Sequence, residues 1–103
     1  MAGIIRSTTP TIRFRFNVVN VPDIVKAYLT IEQENKQIVE KDIGDAVISD
    51  KEIAWTLTQE ETLAMDMSRN VKIQVKYKTM EGLVSASRVY EVNPYEILKE
   101  DVI

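Results

Sequence analysis

The sequence predicts an all-β fold, an antiparallel sandwich or small barrel of six to seven short strands with one short crossing helix. Three observations predict it. Short runs of alternating apolar and polar residues recur along the chain, turn-forming residues separate them about every 8–12 residues, and one segment carries a helix-start signal. With 103 residues, of which 45% are hydrophobic, the chain suits one small domain with a buried core.

The first predicted strand is TIRFRFNVV, which follows Pro10. Ile12, Phe14 and Phe16 alternate with polar residues, as in a strand that buries one face. The segment IVKAYLTIEQ repeats this alternation after a Pro-containing turn, and the turn ENKQ leads into a third short strand, QIVEKDI.

The middle of the chain predicts two further strands. Gly44 and Asp45 end the third strand, AVIS is a brief candidate strand, and Asp50-Lys51 turns the chain again. EIAWTL then places its apolar residues on one face. Trp55 lies at the centre of this face and is the largest side chain available to fill a core.

The clearest hairpin consists of NVKIQVKYKT and LVSASRVYEV, with Glu81-Gly82 as a two-residue loop. This register pairs Tyr77 with Ala86 and turns Arg88 toward the core. Either a bulge near Ser87 shifts the register, or Arg88 lies near a sheet edge and extends its charge to solvent. We favour the bulge.

The apolar faces of these strands together predict one core between two sheets. Its expected members are Phe14, Phe16, Leu29, Ile31, Trp55, Leu57, Ile73 and Val75.

The segment TQEETLAMDMSR predicts the short helix that crosses between the sheets. Thr58 and Glu61 have the spacing of a capping box, in which each side chain bonds a backbone N–H at the helix start. Adjacent glutamates at a helix start point in different directions, whereas paired catalytic carboxylates flank a substrate. Glu60 and Glu61 are therefore interpreted as helix-start residues.

Composition argues against the common kinds of active site. The chain has no histidine and no cysteine, which removes the commonest general base, metal ligand and thiol nucleophile. The aspartates at 42, 45 and 50 lack the ligand pattern of a calcium loop and fit turns better. We expect no catalytic residues, no metal, no cofactor and no small-molecule substrate.

Charge and hydropathy favour protein partners over nucleic acid or membrane. The net charge is −3, and no stretch resembles a signal peptide or a transmembrane segment. A basic patch is conceivable, but nucleic-acid readers usually add interleaved exposed aromatic residues or glycine-rich loops and an overall positive charge, so this acidic chain favours a solvated face. The residues concerned are Lys72, Lys76, Lys78, Arg13 and Arg15.

The ends of the chain are more apolar than free tails usually are. We assign residues 1–9 to an N-terminal arm, 10–93 to the sandwich and 94–103 to a C-terminal tail. The tail either folds back on its own sandwich or docks on another subunit, by strand addition or as a short helix. In the second case the tail is a partner-binding segment, and the partner is another protein or a second copy of this chain. The binding residues would be Tyr95, Ile97, Leu98, Val102 and Ile103.

Four stretches carry a family resemblance: RSTTPTIRFRF, LTQEETLAM, NVKIQVKYKT with its EG turn, and EILKEDVI. Together they resemble small proteins encoded among the virion genes of phages and prophages of Gram-positive bacteria. The layout is similar to the immunoglobulin-like N-terminal domain of phage baseplate upper proteins. The resemblance implies an immunoglobulin-like sandwich with a tail- or baseplate-associated structural role and no catalytic residues.

We expect a departure from the baseplate protein, namely one domain without a long extension after it. We expect a non-enzymatic structural or assembly component, located in the virion or in the bacterial host cytoplasm. The alternative is a small binding module that regulates a host or phage protein without entering the particle.

Overall fold

A computed structural model of the chain describes residues 4–17, 20–66 and 68–95. These residues form ten strands, one α-helix and two 3₁₀ turns. The strands are β1 (Ile4–Ile5), β2 (Thr11–Arg15), β3 (Ile24–Gln33), β4 (Lys36–Asp42), β5 (Val47–Ile48), β6 (Glu52–Thr56), β7 (Val71–Thr79), β8 (Val84–Ala86), β9 (Tyr90–Val92) and β10 (Pro94–Tyr95). Helix α1 is Gln59–Leu63, and the 3₁₀ turns are Val21–Asp23 and Ile43–Asp45.

Two antiparallel sheets form the body of the molecule. The smaller has the order β2-β6-β5, and the larger has the order β4-β3-β7, with β8 and β9 both paired to the far side of β7. β1 and β10 form a separate parallel pair. The predicted all-β antiparallel sandwich is confirmed, with ten described strands in place of the six or seven expected.

The strand order is that of an immunoglobulin sandwich. In that fold, strands B, E and D share one sheet, strands C, F and G share the other, and a C′ strand extends the second sheet. Here β2, β6 and β5 occupy the B, E and D positions, and β4, β3, β7 and β8–β9 occupy C′, C, F and G. Among the described residues, no strand occupies position A beside β2.

The core lies between these sheets and joins inward side chains from both. Six of the eight predicted core residues are buried, and five of these six have no exposed surface, as expected for the inward faces of alternating strands. Phe14 and Phe16 were predicted to be buried but are only half-buried, packed against the edge of the core. Their strand lies at a sheet edge that no described strand covers, which explains the difference.

Trp55 holds the two sheets together. Its side chain is fully buried, and the indole N–H donates a hydrogen bond of 2.8 Å to the carbonyl oxygen of Asp42 at the end of β4. β6 and β4 belong to different sheets, so this bond satisfies a buried donor and fixes the distance between the layers.

The last hairpin differs from its predicted loop but has the predicted bulge. The chain reverses through three residues, Met80 to Gly82, with Gly82 in the left-handed region at φ 89°, so Tyr77 faces Ser85 and not Ala86. Further along, Ile73 faces Tyr90, which shifts the register by one residue. The bulge expected near Ser87 is therefore confirmed.

Helix α1 begins as predicted. The Thr58 hydroxyl accepts a hydrogen bond from the Glu61 N–H, and the Glu61 carboxylate accepts one from the Thr58 N–H. The same carboxylate pairs with Lys41 at 3.1 Å, a long-range contact that the sequence did not reveal. Glu61 thus starts the helix and ties it to β4.

The segment that precedes β2 is fastened to α1. The fully buried Thr62 hydroxyl accepts a hydrogen bond from the Thr8 N–H and donates to the Thr8 carbonyl oxygen, and Arg6 donates to the Leu63 carbonyl oxygen. Ile4 belongs to the core and β1 pairs with β10. Parts of the predicted arm and tail therefore pack on the sandwich.

Gln33 clamps the loop between α1 and β7. Its amide nitrogen donates to the carbonyl oxygens of Asp66 and Arg69, and its amide oxygen accepts the Asp66 N–H. Hydrogen bonds from the Ser68 N–H, and then from its hydroxyl, hold the pKa of Asp66 below its ordinary value. The ionised Asp66 side chain thereby stabilises the turn to which Gln33 is hydrogen-bonded.

Truncation of Trp55 tests the core. Trp55→Ala removes the largest buried side chain, and we expect it to lower the free energy of unfolding by about 3–5 kcal/mol. Trp55→Phe keeps an aromatic ring but leaves the Asp42 carbonyl without its donor, so it should cost less. Urea denaturation of both variants gives the comparison, and an unchanged midpoint for Trp55→Ala contradicts the core assignment.

Acid should weaken the Asp66 turn. Because folding lowers the pKa of Asp66, its contribution to stability is present above the ordinary value of 3.8 and is lost as pH falls through the lower value of the folded state. The stability difference between wild type and Asp66→Asn should therefore shrink as the solution becomes more acidic. Urea midpoints measured over a pH series check this, and a constant difference contradicts it.

Candidate functional site

An open cleft lies between β2 and the β8–β9 edge of the larger sheet. It has a volume of about 700 Å³ and follows the inner side of β2. Phe14 lies against Tyr90 and Phe16 against Tyr77, which aligns β2 antiparallel to β8–β9 across the gap. In an immunoglobulin sandwich, strand A lies beside strand B, and this is the side of β2 on which the cleft opens.

Aromatic side chains form the floor of the cleft. The ring centroids of Phe14 and Tyr90 are 5.9 Å apart, and those of Phe16 and Tyr77 are 5.1 Å apart, both in edge-to-face geometry. Phe14 also contacts the ring of the buried Trp55. The half-buried rings therefore combine a rigid connection to the core with apolar surface that remains open to a partner.

The outer edge of β2 offers backbone hydrogen-bonding groups. The Phe16 N–H bonds the Lys51 carbonyl oxygen, and the Pro10 carbonyl oxygen accepts the Leu57 N–H. Bonded and non-bonded pairs alternate along an antiparallel ladder. Thr11, Arg13 and Arg15 therefore direct their backbone N–H and C=O groups away from β6, toward a side where no described strand pairs with them.

Arginines border the cleft although the chain is acidic. Arg13, Arg15 and Arg88 line it, and none of its described lining residues is Asp or Glu. Arg13 pairs with Glu52 at 3.3 Å on the outer face, whereas neither of the other two arginines has an acidic partner among the described residues. The unneutralised charge favours an acidic partner.

The bulge at Ser87 places Arg88 in the cleft. The Ser87 hydroxyl accepts the Val75 N–H at 3.0 Å, taking the place of a backbone carbonyl, and the Ser87 N–H donates to the Val75 carbonyl oxygen. The guanidinium of Arg88 then lies 4.6 Å from the centre of the Tyr90 ring. Arg88 is exposed and forms part of the cleft wall. Its side chain is therefore not turned into the core, and it lies against the Tyr90 ring.

The structure separates the basic residues that were considered as one patch. Lys76 and Lys78 lie on the outer face of the larger sheet, where Lys76 is opposite Tyr28 and Lys78 is opposite Lys26. The arginines of β2 lie on the other sheet and at the cleft.

The acidic candidates remain apart from the cleft. The Asp42 carboxylate accepts the Gly44 N–H and so caps a 3₁₀ turn, which confirms the turn interpretation for this residue. In the part of the chain that the structure describes, no three Asp or Glu side chains gather to hold one metal ion. No described helix is long and apolar enough to cross a membrane.

The predicted partner-binding residues begin where the described part of the chain ends, at residue 95. The backbone of Tyr95 ends β10, but its side chain and the four apolar residues beyond it, Ile97, Leu98, Val102 and Ile103, lie outside the described residues. The cleft itself was missed by sequence reasoning. The sequence feature that points to the cleft is the pair Arg13 and Arg15, two charges on the strand β2. We interpreted these residues as part of a solvated face.

No model of a known protein family matches the chain, and comparisons with curated proteins and with solved structures also give no match. The class that the fold and site define is an immunoglobulin-like sandwich in which no described strand covers the edge of β2, above a cleft with an aromatic floor.

Removal of the Ser87 hydroxyl tests how the cleft wall is held. Ser87→Ala leaves the buried Val75 N–H without its acceptor, which should cost about 1–3 kcal/mol of stability. Ser85→Ala is the matched control, because the Ser85 hydroxyl makes no hydrogen bond among the described residues. Thermal or urea denaturation measures both changes. Equal losses in the two variants contradict the role assigned to the bulge.

Proposed function

We propose that this chain is a non-enzymatic structural or assembly component of a phage or prophage particle, associated with its tail or baseplate. It acts through protein–protein contacts, and its contact site is the cleft beside β2. The ligand is an extended segment that pairs with the free edge of β2 and inserts alternate side chains into the cleft.

The observation that carries this proposal is the combination of a free strand edge with an apolar floor. Strand addition requires backbone groups that are free to pair and pockets for alternate side chains. The outward backbone groups of Thr11, Arg13 and Arg15 supply the first, and the rings of Phe14 and Phe16 help to supply the second. Five residues of β2 offer an edge of about 17 Å.

The lining of the cleft supports binding rather than catalysis. Its described residues include no carboxylate, and the chain contains no histidine or cysteine. General acid–base or nucleophilic chemistry commonly relies on such groups near a substrate. The tyrosines and arginines that are present suit contacts with a peptide and its charged side chains.

The resemblance to virion-gene products of phages supports the particle as the place of action. Small sandwich domains with one open edge suit this setting, because added strands connect neighbouring subunits without a large interface. A particle component also needs neither a catalytic centre nor a cofactor.

Analysis of purified particles tests the proposal. Particles are induced from the bacterium that carries the gene, purified by density gradient and analysed by mass spectrometry. We expect this chain to be present in several copies per particle. If the chain is made in the cell yet absent from the particles, the proposal is wrong and the regulatory binding module is favoured.

A pair of charge reversals tests the contact site. Arg15→Glu changes an exposed residue at the cleft, and Lys36→Glu makes the same charge change at an exposed residue on the opposite edge strand, β4. Both variants should fold, and only Arg15→Glu should be depleted from particles. Equal incorporation of the two variants contradicts the cleft as the contact site.

A further inference from the structure

We propose that the cleft binds the segment Glu96–Ile103 from a second copy of this chain, which adds a strand to β2 and fills position A of the sandwich. This inference rests on the proposed function, because it names the partner of the same cleft. The reasons are the charge of the segment, the pattern of its side chains, and the direction in which the chain leaves the sandwich.

Charge complementarity points to an acidic strand. Arg88 lies in the cleft wall and Arg15 at the rim, both without acidic partners among the described residues, and the described lining contains no carboxylate. The segment EILKEDVI has three acidic residues and one lysine, and its other four residues are apolar. It therefore supplies the charge that the rim lacks and apolar groups for the aromatic floor.

The alternation of side chains matches the order of groups along the cleft. In a strand, Leu98, Glu100 and Val102 share one face. Along the cleft wall, Arg88 lies between the position of Tyr77 and that of Tyr90, so an apolar, acidic, apolar face meets an aromatic, cationic, aromatic one. Eight extended residues span about 26 Å, which is enough to cover the edge of β2.

The direction of β9 and β10 favours a second copy over the same chain. The contact of Phe14 with Tyr90 and of Phe16 with Tyr77 places Val92 toward the Ile12 end of the cleft, so β9 runs out of the cleft at that end. The chain then continues into β10 beside β1. To enter its own cleft, the chain would have to reverse directly after β10, yet residues 96–99 contain no Gly, Pro, Asn, Asp or Ser.

Exchange of this segment between two copies closes a symmetric dimer. Each copy provides one cleft and receives one strand, so the two contacts are related by a twofold axis and neither cleft remains open. The two contacts form together, which raises the effective concentration of the second segment once the first has bound.

Sedimentation of the full chain and two charge reversals tests the inference. The wild-type chain should form a dimer that dissociates on dilution. Arg88→Glu in the cleft and Glu100→Arg in the segment should each raise the dissociation constant of the dimer by about tenfold or more. Each variant places two like charges against each other in both contacts. Lys36→Glu, on the opposite sheet edge, should sediment as the wild type does. Circular dichroism verifies that each variant is folded.

Mixing the two reversed variants gives the decisive measurement. In the mixed dimer one contact joins the reversed cleft to the reversed segment, and the other joins two unchanged partners, so both contacts are complementary again. We expect the mixture to dimerise although each variant alone does not. A segment bound in its own cleft would leave the mixture monomeric, and that result overturns the inference.

Two other results also overturn it. One is a wild-type chain that stays monomeric at every concentration, and the other is a dimer that Arg88→Glu leaves intact. These failures are distinguishable from failure of the proposed function. A monomeric chain whose entry into particles depends on Arg15 retains the proposed function and has a different protein as the partner of its cleft.

Discussion

Burial of Trp55 between the sheets is the constraint on which the rest of the structure depends. An indole of this size keeps the layers apart, and its N–H must find an acceptor because no water reaches it. The Asp42 carbonyl oxygen provides that acceptor, so the end of β4 is fixed relative to β6. Phe14 packs edge-on against the indole, which in turn sets the inner face of β2.

The free edge of β2 follows from the same arrangement. Its inward rings are anchored on the core, and its outward backbone groups have no partner strand in the described part of the chain. Natural proteins protect such edges with charges, because an unpaired edge invites random strand pairing. Arg13 and Arg15 provide this protection and at the same time favour an acidic strand over other strands. One pair of residues thus serves both solubility and selection of a partner.

Local patterns made much of the fold predictable from the sequence. The alternation of Val71, Ile73 and Val75 defines the face of β7 that is buried, and the spacing of Thr58 and Glu61 defines the start of α1. These features depend on neighbours in the chain. The bulge near Ser87 was expected from a two-residue loop, whose regular register turns Arg88 toward the core. The observed three-residue loop instead places Ser87 opposite Val75, so the bulge is present although the loop assumed for it was wrong.

The remaining features depend on contacts between distant residues, which a single sequence does not reveal. Phe14 has the alternation of a core residue, and its half-burial reflects the position beside β2 that no described strand fills. The pairing of Lys41 with Glu61 and the clamp formed by Gln33 join segments that are far apart in the chain. The cleft could not be predicted for the same reason, since its two walls come from β2 and β8–β9.

The parallel pairing of β1 with β10 has a consequence for the order of folding. It joins Ile4 to Pro94, near opposite ends of the sequence, whereas the β3–β4 and β7–β8 hairpins join residues close in sequence. Closing a long loop costs more chain entropy than closing a short one, and such contacts form slowly. We expect the hairpins to form early and the β1–β10 pair to form last. Among the paired strands, amide hydrogen exchange should accordingly be fastest at this pair, where the sandwich first opens.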